Sequence, residues 1–148
     1  VPGKYGKFIN ITNDEYSFYH IYFNDNKEEI KRKEIIQNGK VDKIKIIIDY
    51  RVISLSKLFS GCNNIRNVKL IKCNGKNIND ISYSFCCCYN LTEIDFSKLK
   101  TENVNNMKYM FVGCNQLKKI DLSNFNTNQV NNMESMFRDC TLLEELNI

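Results

Sequence analysis

The sequence has no long apolar run. Its best candidate, Ile44-Lys45-Ile46-Ile47-Ile48-Asp49, is broken by a lysine and falls far short of the roughly 20 residues a membrane helix needs. No membrane span is expected in this segment. No signal peptide is visible either, and the chain opens on Val1, so a leader or upstream domain is expected to precede it. A basic stripe is also missing. The net charge is +4, with Lys and Arg scattered among Asp and Glu and no aromatic platform for stacking bases. Nucleic acid is therefore not an expected partner, and the densest charge cluster, Lys27 to Glu34, mixes acids and bases as a solvated face does.

Other absences limit the chemistry. The glycines are isolated, so no phosphate-cradling loop is present. No pair of carboxylates stands apart from the surface acids. There is no C-x-x-C pair, and His20 is the only histidine, which argues against a zinc site. A Cys–His nucleophile would require His20 to meet a distant cysteine, and nothing in the spacing supports that. No cofactor or metal is expected, and the chain does not read as an enzyme. Pro2 is the sole proline, while Asn, Ile and Lys abound. These three share AT-rich codons, so the bias speaks of genome composition and not of activity.

What is present is a repeat. Phe59, Phe85, Phe111 and Phe137 lie 26 residues apart, as do Cys62, Cys88, Cys114 and Cys140. Four more columns keep the register: Val52, Ile78, Val104, Val130; Ile65, Leu91, Leu117, Leu143; Val68, Ile94, Ile120, Leu146; and Leu70, Phe96, Leu122, Ile148. The first half of a unit, Val104 to Cys114, places apolar residues three and four apart, which predicts a short helix ending near Gly113. In the second half, Ile120 and Leu122 alternate with Lys119, Asp121 and Ser123, which predicts a strand buried on one face. One unit cannot bury its own apolar face, so stacked copies are expected to share a core.

The pattern L-x-x-[IL]-x-[LF] resembles the leucine-rich-repeat strand. The string Met107-Lys-Tyr-Met-Phe-Val-Gly-Cys-Asn-Gln-Leu-Lys-Lys-Ile-Asp-Leu-Ser-Asn-Phe-Asn-Thr127, whose opening recurs as Met133-Glu-Ser-Met-Phe-Arg-Asp-Cys140, is similar to the BspA-like repeat of bacterial and protist surface proteins. The resemblance spans about Val52 to Ile148. The first two copies depart from it, with Leu55 and Ile81 at the first Met and Leu58 and Ser84 at the second. The usual Asn or Cys past the first Leu becomes Cys73, Leu99 and Phe125, so no regular asparagine ladder is expected there. The expected fold is an α/β solenoid: a parallel sheet on the concave face, short helices on the convex face and an N-terminal β-rich cap. Residues 1–50 are the expected cap and 51–148 the solenoid, with further repeats, a cap or a partner surface expected after Ile148.

Within residues 1–50, Tyr16 to Phe23 reads as a buried strand and Asn24-Asp25-Asn26 as a turn. Glu28 to Ile36 is open between strand and helix. Asn38-Gly39 predicts a hairpin turn, and Val41 to Tyr50 a strand at the head of the repeat sheet. The cysteine column reads as buried free thiols packed beside the core Phe. Cys86 and Cys87 fall outside it, in a loop position, open between a reactive thiol and neutral substitution. Asn10-Ile-Thr12 and Asn90-Leu-Thr92 match the glycosylation acceptor pattern, as chance allows in so Asn-rich a chain.

The outward strand positions form a row: Asn67, Lys69 and Ile71; Glu93, Asp95 and Ser97; Lys119, Asp121 and Ser123; Glu145 and Asn147. The resemblance implies that this row meets a protein partner. Two functions stay open: a non-catalytic protein-binding or adhesion module, and an intracellular structural subunit packed in a larger assembly. The resemblance points to the cell surface, while a free-thiol column points to a reducing compartment.

Overall fold

The computed structural model describes residues 6–35, 44–70, 72–73 and 77–148. The strands in chain order are β1 (Gly6–Lys7), β2 (Tyr19–Phe23), β3 (Glu34–Ile35), β4 (Ile44–Ile48), β5 (Asn67–Lys69), β6 (Lys72–Cys73), β7 (Glu93–Asp95), β8 (Lys119–Asp121) and β9 (Glu145–Asn147). A 3-10 helix, Asp14–Phe18, lies between β1 and β2.

The apolar residues spaced three apart in each repeat form consecutive turns. In the third repeat the amides of Met110, Val112, Cys114 and Leu117 donate to the carbonyls of Met107, Tyr109, Phe111 and Cys114. The alternate amides leave the repeat altogether. Those of Met107, Tyr109, Phe111 and Gly113 donate to Asn132, Glu134, Met136 and Arg138 of the next repeat, at 2.8 to 2.9 Å. Leu55, Lys57, Phe59 and Gly61 bond Asp80, Ser82, Ser84 and Cys86 in the same way, and Ile81, Tyr83, Phe85 and Cys87 bond Asn106, Lys108, Met110 and Val112. Turning at every second residue requires left-handed backbone. Lys57, Tyr83, Tyr109 and Ser135 have φ of 51° to 61°, and Gly61, Cys87, Gly113 and Asp139 have φ of 58° to 73°.

The expected α/β solenoid is overturned by this geometry. Among the described residues there is no α-helix, and the one helical segment lies outside the repeats. An α-helix bonds each amide four residues back within its own segment and holds φ near −60°. Neither condition is met. Among the described residues the continuous parallel sheet is also missing: β5 pairs with β7 and β8 with β9, each parallel and in register, and the two pairs form separate sheets. The repeats are joined instead through the turns, where Ser54, Asp80, Asn106 and Asn132 bridge in parallel succession. These four side chains each accept the amide two residues on, from Ser56, Ser82, Lys108 and Glu134, and so start every run of turns.

The core follows the columns. Phe59, Phe85, Phe111 and Phe137 stack with centroids 5.1, 5.8 and 5.4 Å apart, and Phe96 meets Phe85 and Phe111 edge-on. Such aromatic pairs add about 0.5–1.5 kcal/mol each beyond area burial. Cys62, Cys88 and Cys114 are fully buried beside them.

Toward the N-terminus, β2 and β4 pair antiparallel from Tyr19↔Ile48 to Phe23↔Ile44, β6 joins β4 in parallel, and β1 pairs with β3. The expected strand from Tyr16 begins only at Tyr19, after the 3-10 helix. It buries alternate residues, Tyr19, Ile21 and Phe23, and not both faces. The strand expected over Val41 to Tyr50 is seen at Ile44–Ile48, and it meets β6 and not the repeat strands. Asn38-Gly39, Val41 and Ile36 lie outside the described residues.

Asn10 closes the first repeat. Its backbone amide donates to Leu58 O at 2.7 Å, and its side-chain amide to Ser60 O at 2.7 Å and Lys57 O at 3.0 Å. In the second repeat the equivalent carbonyls, Ser84 and Cys86, accept from Phe59 and Gly61. One asparagine thus stands in for a preceding repeat. Replacing Asn10 with Ala strips two carbonyls of a donor and is expected to cost about 1–2 kcal/mol, read as a lower urea midpoint at unchanged slope.

Candidate functional site

The repeat positions two sets of chemistry-bearing side chains: the thiol column inside and the strand row outside. The thiols are hydrogen-bond donors. Cys88, Cys114 and Cys140 each direct Sγ to the carbonyl of the Phe one repeat earlier, Phe59, Phe85 and Phe111, at 3.0, 3.2 and 3.1 Å. Burial pushes the Cys62 thiol up to about 12 and raises Cys88, Cys114 and Cys140 as well. A thiol that must keep its proton to satisfy a carbonyl is a poor nucleophile and a poor metal ligand. Among the described residues, no group of three or more His, Cys, Asp and Glu is arranged to hold a metal ion.

His20 sits on the half-exposed face of β2, its Nδ1 3.2 Å from Glu29 Oε1. Lys31 also holds Glu29, and its hydrogen bond is the main reason that carboxyl titrates low. Cys73 aligns through Ile48 with Tyr19, on the opposite, buried face of the sheet. The fold therefore does not bring His20 to that thiol.

The strand row is brought together in part. Glu93, Asp95, Ser97, Lys119, Asp121, Ser123, Glu145 and Asn147 line an open recess of about 880 Å³, floored by Ile94, Phe96, Ile120 and Leu146. The recess lies where β7 and β8 fail to pair. Strand-end bonds tie the first two repeats (Thr92 N to Arg66 O, Leu70 N to Asp95 O) and the last two (Glu144 N to Lys118 O, Leu122 N to Asn147 O). Asn67 and Lys69 lie beyond the lining, although Lys69 Nζ reaches Asp95 Oδ2 at 2.8 Å. Ile71 lies outside the described residues. Asn124 and Glu144 also line the recess. They fall one residue off the strict alternation, which is why counting every second residue passes over them.

Two row residues have structural duties. Asp95 Oδ1 accepts the Ser97 amide and Asp121 Oδ1 the Ser123 amide, both at 2.9 Å, ending their strands in the same tight turn. The Lys69 ammonium, followed by hydrogen bonds from Ser97, holds the Asp95 carboxyl well below the usual range. Bonds from Ser123 lower Asp121 in turn. The rim is mainly acidic, with Glu93, Asp95, Asp121, Glu144 and Glu145 set against Lys119.

One family model matches the chain, over residues 53–147; its description is Mycoplasma protein of unknown function, DUF285. No curated protein and no solved structure matches.

The depressed Asp95 carboxyl makes stability depend on acid. Its contribution is complete above the unfolded-state value, about 4, and is lost as pH falls below that toward the folded value. Because the pair is partly exposed, the contribution is about 1 kcal/mol or less. Asp95→Asn is expected to flatten the fall of the melting temperature below pH about 4 relative to the parent, as followed by calorimetry.

Proposed function

Because the chain belongs to that family, whose description assigns no activity, we propose from its geometry that it is a non-catalytic binding module presenting the strand row to a protein partner. The recess between β7 and β9 is the observation that carries this reading. It is open, it has an apolar floor, and its polar rim groups point outward from short strands held by turns. A site of that kind suits a chain segment with apolar side chains for the floor and basic or amide groups for the rim. The likeness of Met107 to Thr127 to BspA-like repeats favours an adhesion or recognition role at a cell surface.

The fourth repeat favours a second reading, a structural subunit packed in a larger assembly. Met133 and Leu146 are 49% and 44% exposed there, although their counterparts Met107 and Ile120 in the third repeat are buried.

The two readings separate in one set of measurements. A lysine-rich peptide with interspersed leucines is titrated into the folded protein. The binding-module reading expects an affinity that falls about tenfold between low and physiological salt. It also expects loss of binding in the Glu93→Lys/Glu145→Lys variant at an unchanged unfolding midpoint. Binding that ignores this variant, or none at about 1 mM peptide, contradicts it. Concentration-dependent self-association in sedimentation, abolished by Leu146→Glu, supports the structural subunit instead.

A further inference from the structure

Cys86 and Cys87 stand apart from the thiol column. Their equivalents in the other repeats are Ser60-Gly61, Val112-Gly113 and Arg138-Asp139, so no packing demand calls for sulfur there. The column already has its member in Cys88, fully buried and bonded to Phe59 O. Cys86 and Cys87 are half-buried, and their Sγ atoms lie 3.5 Å apart in a thiol–thiol hydrogen bond. Cys87 also holds φ of 58° at a position where two other repeats place glycine. A side chain kept in left-handed backbone against that precedent directs attention to what the side chain does.

We propose that Cys86 and Cys87 form a reversible redox modification site, a vicinal dithiol that low-molecular-weight disulfides oxidise to a vicinal disulfide. The thiolate of one cysteine attacks one sulfur of the small disulfide, giving a mixed disulfide and releasing one small thiol. The other cysteine then attacks the protein sulfur of that mixed disulfide, the Sγ–Sγ bond forms, and the second small thiol leaves. Two protein thiols lose two hydrogens, and the small disulfide is reduced to two thiols. Either thiol can open the sequence, because the two sulfurs already lie within contact of each other. Burial and the neighbouring Cys87 push the Cys86 thiol up to about 11, so its thiolate fraction grows as pH rises through the alkaline range.

The geometry also sets reversibility. Consecutive Cα atoms are about 3.8 Å apart across a trans peptide, closer than the roughly 4.4–6.8 Å of ordinary disulfides. The ring is strained, and strained bridges are the readily reduced ones. Closure acts on the fold through Cys87, whose amide donates to Val112 O in the ladder between the second and third repeats, at 2.7 Å.

The folded protein is treated with oxidised glutathione at mildly alkaline pH, then alkylated after unfolding and read by mass spectrometry. The expected product has lost two hydrogens, carries no glutathione and keeps the other cysteines alkylatable. Phenylarsine oxide, which bridges paired thiols, should block the reaction, and a reducing thiol should reverse it. Cys86→Ser and Cys87→Ser should each leave at most a mixed disulfide. Cys87→Gly, which restores the glycine of the first and third repeats, should keep the fold and lose ring closure. A bridge that survives either serine variant, oxidation centred on other cysteines, or no oxidation at all would overturn the proposal.

Discussion

The structure depends on one arrangement of hydrogen bonds. In each of the first three runs of turns, alternate backbone amides bond inside the repeat and the others bond a carbonyl 25 residues later, in the repeat that follows. Every other regularity follows from it. A backbone that faces its neighbour at every second residue must reverse between those residues, and left-handed φ at two columns performs the reversal. Identical backbones in register bring identical side chains together, so phenylalanine stacks on phenylalanine and the Cys88, Cys114 and Cys140 thiols each meet the carbonyl of the Phe one repeat earlier. Contacts of this nearest-neighbour kind make stability a sum over interfaces, and each interface needs a complementary face on both sides.

That requirement explains Asn10. The first repeat presents carbonyls that later repeats satisfy from the repeat before them, and one asparagine supplies donors from both backbone and side chain. Asn90 likewise spends its side-chain amide on Asn63 O at 2.8 Å. Both acceptor-like motifs are thus explained by backbone satisfaction. The same principle accounts for cysteine in the core column, since a small apolar side chain that also carries a weak donor suits a buried carbonyl better than alanine would.

The period, the core columns and the four strand positions of the repeats were legible in the sequence, because side-chain burial alternates there with a plain signature. The turns were not. A step of three between apolar residues belongs equally to the face of a helix and to successive turns, and at Val104 to Cys114 the run is too short to separate the two. Glycine at 61 and 113 gave a hint of left-handed backbone, but Lys57, Tyr83, Tyr109 and Ser135 carry none. Asp80, Asn106 and Asn132 do carry a turn signal, being residue types that start turns by accepting the amide two positions on. Eight of the eleven residues of the expected row line one recess. The recess itself was illegible, since it arises from β7 and β8 not pairing, and nothing in the two segments distinguishes that interface from its neighbours.

The residues that look chemical therefore divide by duty. The column thiols and Asn10 have structural tasks, Asp95 and Asp121 hold turns while also lining the recess rim, and Cys86 and Cys87 are half-buried outside the column. This division rests on the ladder, which hydrogen exchange by NMR tests most directly. Met107, Tyr109, Phe111 and Gly113 donate across a repeat boundary, and Met133, Ser135, Phe137 and Asp139 hold the same positions one repeat later. Slow exchange is expected at the first four amides and fast exchange at the second four in this chain. Equal protection of both sets, as helices bonded within their own segments would give, would contradict the ladder.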